Sequence, residues 1–231
     1  MANKIKAIIF DLDNTLVDFM KLKEFAIDAA VEAMIDAGLQ MKKEVARDKI
    51  FKIYQEKGIE YQQVFDDFLM QELGRIENKM LAAGIVAYRR AREGVLVSYP
   101  HVTITLLELL KRGLKLAVVS DAPRLQAWLR LCALNIHNYF DVVVTFEDTE
   151  KRKPAPEPFI KVLELLKLKP EDAIMVGDWA ERDIVGAKLL GMKTVFARYG
   201  DTFGTKNSGA DWDIDDIYEL IKIIDQQNQN Y

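Results

Sequence analysis

Two aspartates stand one residue apart at the end of an apolar run near the start of the chain. The stretch IIFDLDNTLVD (8–18) places Asp11 and Asp13 directly after its three apolar residues. Alternate side chains of a β-strand point to the same face, so the two carboxylates are expected within a few ångströms of each other. Like charges this close repel each other unless a cation lies between them. The pattern therefore predicts a cation site at the end of this strand.

Further polar side chains follow other apolar runs. Ser120 and Asp121 follow the run LKLAVV, and Lys153 lies in a loop after DVVVT. Asp178 ends AIMVGD, with Asp183 five residues on. In an open parallel sheet, ligands bind outside the carboxyl ends of the strands, so these residues should meet at one edge. Mg²⁺ takes oxygen ligands, often one or two carboxylates plus substrate phosphate, so this edge is predicted to bind Mg²⁺ and a phosphate ester.

The residue types allow roles to be assigned. A carboxylate is a competent nucleophile toward phosphorus, and Asp11 is the candidate. A metal that bridges Asp11, Asp178 and the phosphate would mask the negative charges that oppose the attack. Asp13 is the candidate general acid that protonates the leaving alcohol and later activates water. Ser120 and Lys153 are expected to bind phosphate oxygens.

Two further aspartates have a supporting role in this interpretation. Asp183 could orient Lys153 or complete the shell of the metal, and the alternative is a surface ion pair. Asp121 precedes Ala-Pro, and its simplest interpretation is a cap for the helix that follows. Four apolar or aromatic side chains are candidates for contact with the substrate: Phe19, Met20, Tyr61 and Trp179.

The elements that must position these residues alternate along the chain. Short runs rich in Val and Ile are separated by amphipathic segments, which implies parallel strands with helices on both faces. The first run, KIKAIIF (4–10), has the same apolar character and is expected in the same sheet. The predicted class is α/β with a Rossmann-like parallel sheet. The other expected strands are LKLAVVS (114–120), DVVVT (141–145), DAIMVGD (172–178) and MKTVFA (192–197).

The segment 18–94 has a different character. It contains no proline and is rich in Lys, Glu, Ala and Met, with apolar residues at helical spacing. Gly38, Gly58 and Gly74 are plausible helix ends, so we expect about four helices. The predicted organisation is an α/β domain of 1–17 and 95–231 with an all-helical domain of 18–94 inserted. The polar tail DQQNQNY (225–231) is expected to fray.

The composition limits the compartment and the partners. Thirty-two basic and thirty-six acidic residues give a formal net charge of −4, which argues against nucleic-acid binding. Cys132 is the single cysteine, so no intrachain disulfide can form, and its apolar helical surroundings predict a buried thiol. No apolar run reaches the roughly 18 residues of a membrane span, and the first residues do not resemble a signal peptide. We expect a cytoplasmic protein.

The motifs resemble the four signatures of the haloacid dehalogenase-like hydrolase superfamily. They occur in the expected order as DLDNT (11–15), Ser120, Lys153-Pro154 and GDWAERDIVGAKLLGM (177–192). The resemblance implies Asp11 as nucleophile and Asp13 as general acid and base, with Ser120 and Lys153 on the phosphate. It makes Asp11, the backbone carbonyl of Asp13 and Asp178 the ligands of Mg²⁺. The segment 18–94 sits where members of the first cap class carry a helical lid.

The resemblance implies a phosphatase for small phosphate monoesters of the sugar or triose phosphate class. The dehalogenases and P-type ATPases of the superfamily lack an aspartate at the position of Asp13. The chain is also similar to archaeal proteins assigned as glyceraldehyde 3-phosphate phosphatases. A phosphomutase or another phosphotransferase would have the same aspartate, so this alternative function stays open. A second class of alternative is a non-enzymatic relative, either a receiver-like phosphoacceptor or an idle phosphate-binding protein.

Overall fold

The structure contains a six-stranded sheet in which every neighbouring pair of strands is parallel. It is a computed structural model and describes residues 4–229. The order of the strands across the sheet is β3-β2-β1-β4-β5-β6. The strands are β1 (Ala7–Phe10), β2 (Lys115–Val119), β3 (Val142–Val144), β4 (Ala173–Gly177), β5 (Lys193–Ala197) and β6 (Trp212–Ile214).

Helices surround the sheet and form the inserted segment. In chain order, they are α1 (Phe19–Asp36), α2 (Lys43–Lys57), α3 (Val64–Leu73), α4 (Asn78–Val95), α5 (Val102–Lys111), α6 (Arg124–Ala133), α7 (Phe146–Thr149), α8 (Pro156–Leu166), α9 (Val185–Leu189) and α10 (Glu219–Gln229). Ala7 and Ile9 of β1 pack with α8 on one face of the sheet. Ile8 and Phe10 point to the opposite face and are also fully buried. The expected α/β class with a parallel sheet is confirmed.

One strand was not expected from the sequence. The five expected strands are present, and β6 adds a sixth at the edge, beside β5. Its residues, WDI, lie among aspartates, so no continuous apolar run marks it. An edge strand pairs on one side only and can tolerate polar residues, which removes the signal that identifies buried parallel strands.

The chain divides into two compact units. One comprises the residues up to Asp18 and from Val97 onward, and the other is Phe19–Leu96. The second unit consists of α1 to α4 around its own apolar core, which includes Ile27, Met34, Ile50 and Phe68. It extends two residues beyond the expected end, because α4 continues through Gly94 to Val95.

The segments that enter and leave the helical unit pair with each other. Val17 and Ser98 form an antiparallel bridge. The amide of Asp18 donates to the carbonyl of Val97 at 3.2 Å, and that of Tyr99 donates to Leu16 at the same distance. The two ends of the insertion are therefore adjacent on the α/β unit.

Two expectations about the surface are wrong. The first five residues of the polar tail belong to α10, where the amide side chain of Asn228 bonds to the backbone of Ile5. The last two residues of that tail lie outside the described residues. Cys132 is exposed on α6, because the apolar run around it supplies both the buried and the solvent-facing sides of that helix. Across residues 4–229, no helix has the length and apolar character to cross a membrane.

The loop after β5 closes tightly on the turn after β1. The hydroxyl of Tyr199 donates to the carbonyl oxygen of Thr15 at 2.9 Å. At Gly200, a Cβ atom would lie 1.7 Å from the carbonyl oxygen of Asn14. Only a residue without a side chain permits this approach of two backbones. The contact holds the turn that follows Asp13.

We therefore predict that Gly200→Ala destabilises the protein. The added methyl group would force two backbone segments apart, at a cost of about 1–3 kcal/mol. Urea unfolding measures the change in free energy. Gly94→Ala is the matched control, because a Cβ at that helical position meets nothing within 4 Å. Equal unfolding midpoints for the two variants would contradict the prediction.

Candidate active site

Three buried carboxylates meet at the carboxyl edge of the sheet. Asp11 follows β1, Asp178 follows the neighbouring β4, and Asp183 lies in the π-helical turn Ala180–Ile184. Each offers an oxygen within 4.8 Å of the oxygens of the other two. Their exposed fractions are 9%, 3% and 1%, so water screens their mutual repulsion poorly. The arrangement requires positive charge nearby.

Lys153 supplies one positive charge to this cluster. Its ammonium donates to Asp11 Oδ1 at 2.5 Å, to Asp183 Oδ1 at 2.6 Å and to the carbonyl of Val119 at 3.1 Å. These acceptors satisfy all three donors of the ammonium group. The side chain of Lys153 is buried, so the ion pairs operate in a medium of low dielectric constant.

The electrostatics leave an excess of negative charge. Burial raises the pKa of Asp11 to about 7, although the ammonium of Lys153 acts in the opposite direction. Burial also raises the pKa of Asp178 well above its ordinary value, and the charges of Asp11 and Asp183 add to this effect. Burial would lower the pKa of Lys153, but the carboxylates of Asp11 and Asp183 outweigh it and raise the pKa. A divalent cation would relieve the remaining repulsion.

The carboxylate oxygens fit such a cation. Asp11 Oδ1 accepts from Lys153, and Asp178 Oδ1 accepts from the hydroxyl of Thr15 at 2.9 Å. The other oxygen of each accepts no hydrogen bond from residues 4–229, so it is available for a metal. Both oxygens of Asp183 already accept, from Lys153 and from the amide of Trp179 at 3.0 Å. Asp11 and Asp178 are therefore the better candidates for metal ligands, and Asp183 orients Lys153.

The loops after β2 and α7 are joined through Asp121. Its Oδ1 accepts from the amide of Lys153 at 3.0 Å, and its Oδ2 accepts from Arg182 at 3.1 Å. The expectation that Asp121 caps the next helix is wrong, because Pro123 occupies the N-cap position of α6 without a side-chain cap. The carboxylate of Asp121 instead binds the backbone amide of Lys153 and the guanidinium of Arg182, which lie on neighbouring loops. Asp121 therefore fixes the loop that carries Lys153.

The remaining predicted residues are divided between the two units. Ser120 follows β2 and is buried, and its hydroxyl oxygen accepts from the amide of Ala122 at 3.2 Å. Asp13 Oδ2 lies 3.1 Å from a guanidinium nitrogen of Arg130. Trp179 is half-buried, with the guanidinium of Arg182 3.7 Å from its ring centre.

The three other candidates for substrate contact belong to the helical unit. Phe19 and Met20 begin α1, where Phe19 is buried. Tyr61 lies between α2 and α3, and the ammonium of Lys57 lies 4.7 Å from its ring centre. Contact of Phe19, Met20 or Tyr61 with a substrate stays a prediction.

Two residues of the site received no role from the sequence. Thr15 lies inside the motif DLDNT, and its hydroxyl orients Asp178. Arg130 lies on the buried side of α6 and pairs with Asp13. An arginine at a core-facing position of an amphipathic helix is the signal that could have identified it.

Known proteins resemble this chain over nearly its whole length. The family model for haloacid dehalogenase-like hydrolases matches residues 8–197. The glyceraldehyde 3-phosphate phosphatase of Methanocaldococcus jannaschii is 39% identical over 95% of this chain and 97% of that protein. The phosphoglycolate phosphatase of Aquifex aeolicus is 31% identical over 96% of this chain and 97% of that protein. The crystal structure of a HAD phosphatase from Thermococcus onnurineus has 28% identity and a TM-score of 0.69, over 95% and 98% of the two chains.

The chain belongs to the haloacid dehalogenase-like hydrolase family, as its four motifs indicated. The relatives with which it aligns almost end to end are named as phosphatases. The expected enzyme class, a phosphoric monoester hydrolase of this superfamily, is confirmed.

The cluster predicts a large stability effect for Lys153→Met. Removal of the ammonium leaves Asp11 and Asp183 buried without their partner, which should cost about 3–5 kcal/mol. Urea unfolding at pH 7 in EDTA measures the free energy without contribution from a metal. Lys111→Met is the control, since the Lys111–Glu108 pair is exposed and should contribute about 1 kcal/mol or less. Similar losses in both variants would show that Lys153 does not stabilise the cluster.

Proposed function

We propose that the protein is a Mg²⁺-dependent phosphatase that hydrolyses small phosphate monoesters through an aspartyl-phosphate intermediate on Asp11. One observation carries this proposal: Asp11 is buried beside Asp178, with Lys153 bonded to one of its oxygens. A carboxylate in this setting has a second oxygen that can attack a phosphorus atom. Membership of a hydrolase family supports the same reaction.

In the first step, a carboxylate oxygen of Asp11 forms a bond to phosphorus while the bond to the ester oxygen breaks. The electron pair of the broken bond stays on the ester oxygen, which takes a proton from the carboxyl group of Asp13. During this transfer Ser120 donates to one phosphate oxygen, and Lys153 exchanges one of its three present acceptors for another phosphate oxygen. The alcohol leaves, and the phosphoryl group remains on Asp11.

In the second step, water attacks the phosphorus of the acyl phosphate. The ionised Asp13 takes a proton from this water, so the same residue acts first as an acid and then as a base. The bond between phosphorus and Asp11 breaks, and the electron pair returns to the carboxylate. Orthophosphate is released, and both aspartates regain their initial states.

Mg²⁺ is the metal that we propose for the site. Asp11, Asp178 and the backbone carbonyl of Asp13 would hold it, and these hard oxygen ligands suit this ion. Bound there, it would mask the negative charge of the phosphate and of Asp11. Thr15 would keep Asp178 oriented for this role.

For the substrate, we propose a sugar or triose phosphate, with glyceraldehyde 3-phosphate as the first compound to test. The names of two relatives denote phosphate esters of short carbon chains, and the relative named for glyceraldehyde 3-phosphate is 39% identical. We also propose that the helical unit Phe19–Leu96 is a cap that excludes water and large substrates. Such a cap favours small esters over phosphoproteins and nucleic acids. We place this activity in the cytoplasm, as the composition predicts.

The deciding experiment is an activity screen over phosphate monoesters with and without Mg²⁺. Orthophosphate should be released with Mg²⁺, EDTA should abolish the release, and Ca²⁺ should inhibit because its larger and looser coordination disturbs the alignment. Asp11→Asn should release no orthophosphate and trap no phosphoenzyme. Full activity in EDTA, or wild-type turnover by Asp11→Asn, would refute the mechanism. Isomerised ester in place of orthophosphate would identify a phosphomutase.

A second experiment tests the cap. Asp18 and Val97 are hydrogen-bonded to each other, so a short Gly-Ser linker can replace the helical unit between them. The shortened protein should retain hydrolysis at Asp11 but turn over the preferred ester more slowly and discriminate less among esters, because orientation beneath the cap is lost. Relative kcat/KM across a panel of esters measures this, with Asp11→Asn in the shortened protein as the blank. Unchanged relative values would show that the helical unit does not select the substrate.

A further inference from the structure

Arg130 occupies a position on α6 where an apolar side chain is expected. The buried residues of this helix are Ala127, Arg130 and Leu131, which recur at the spacing of one helical face. Leu125 and Leu129, in contrast, are exposed on the opposite side. The guanidinium of Arg130 is therefore on the side of α6 that packs into the α/β unit, and its side chain is only 9% exposed.

Packing does not explain an arginine at this position. Transfer of a charged group from water to a protein interior costs several kcal/mol, and an ion pair often only offsets that cost. An apolar side chain of similar size would fill the same space at no such cost. The ion pair with Asp13 gives one reason for a charged side chain here, because Arg130 Nη1 lies 3.1 Å from Asp13 Oδ2.

The neighbouring carboxylates also have partner side chains, which hold them through hydrogen bonds. Asp11 is oriented by Lys153, and Asp178 is oriented by Thr15. The backbone of β1 fixes the Cα atom of Asp13, but its side chain is 23% exposed and can adopt several rotamers without a partner. The contact with Arg130 is an ion pair, and attraction between opposite charges at this distance favours the rotamers that keep the carboxylate of Asp13 beside the guanidinium.

We propose that Arg130 is a positioning residue for the proton transfers of Asp13. It acts through Asp13, and it touches neither the reacting phosphorus nor the leaving group. This inference rests on the proposed phosphatase function. If it is correct, loss of Arg130 impairs the steps that need a proton from Asp13 or a proton taken by it, and spares the steps that do not.

The test compares esters with different leaving groups. p-Nitrophenol leaves without protonation, whereas an alcohol of a sugar or polyol phosphate needs a proton. In Arg130→Met, kcat/KM for the alkyl ester should fall about 10- to 100-fold, since misplacement of a catalytic group by about 1 Å can cost as much as 10²-fold. For p-nitrophenyl phosphate, kcat/KM should change less than about 3-fold. The aryl ester should also give a burst of p-nitrophenol, because hydrolysis of the phosphoenzyme slows.

A double-mutant cycle tests whether the effect passes through Asp13. In the Asp13→Asn background, the change Arg130→Met should reduce alkyl ester turnover by less than about 2-fold further, because the two residues act as a unit. Arg130→Lys keeps the positive charge on a shorter side chain that places it differently, and it should give a partial loss with the same preference for aryl esters. Arg130→Lys also tests the proposal if Arg130→Met does not fold. Arg124→Met, on the same helix, breaks the exposed pair with Asp148 and should leave both esters unaffected.

The outcomes separate the possible roles of Arg130. Equal losses of kcat/KM for aryl and alkyl esters would overturn the proposal, and so would losses that add to those of Asp13→Asn. Either result would indicate that Arg130 has only a structural role. A rise in KM with unchanged kcat would also overturn it and indicate contact with the substrate. Absence of Mg²⁺-dependent phosphatase activity in the unmodified protein would instead refute the proposed function itself. The two failures are therefore distinguishable.

Discussion

The ion pairs between one buried ammonium and two buried carboxylates underlie the organisation of this site. Lys153 bonds to Asp11 and Asp183 while both are almost fully removed from water. Without that charge, the edge of the sheet would hold three aspartates whose repulsion is poorly screened. The loop that carries Lys153 must therefore be held in place beside these carboxylates. Asp121 holds it by accepting a hydrogen bond from the backbone amide of Lys153.

The same site satisfies a second requirement, which is orientation. Each aspartate with a proposed chemical role has a partner of its own: Lys153 for Asp11, Thr15 for Asp178 and Arg130 for Asp13. Such partners restrict side-chain rotamers, so the groups do not have to be ordered when a substrate binds. For Asp11 and Asp178, the partner engages one oxygen and leaves the other for chemistry or a metal. Asp11 and Asp178 are therefore held in place, and one oxygen of each still faces no protein donor among the described residues.

Close backbone approaches make this density of polar groups possible. A Cβ atom at Gly177 would lie 2.3 Å from the carboxylate of Asp183, so β4 must end in glycine for that side chain to reach Lys153. Gly200 permits a similar approach between the loop after β5 and the turn at Asn14. Both glycines are needed because of their small size, since neither has a positive φ. The site is therefore built by the packing of loops on a rigid sheet.

The sequence by itself determined five strands of the sheet, the helical character of the insertion and the edge at which Asp11, Lys153 and Asp178 meet. Buried parallel strands appear as continuous apolar runs, and their order along the chain places their carboxyl ends together. Only the tertiary structure decided that β6 joins the edge, that Asp121 binds loops rather than a helix end, and that Arg130 pairs with Asp13. Local patterns report burial and periodicity, whereas pairs between distant side chains depend on how whole elements pack against each other.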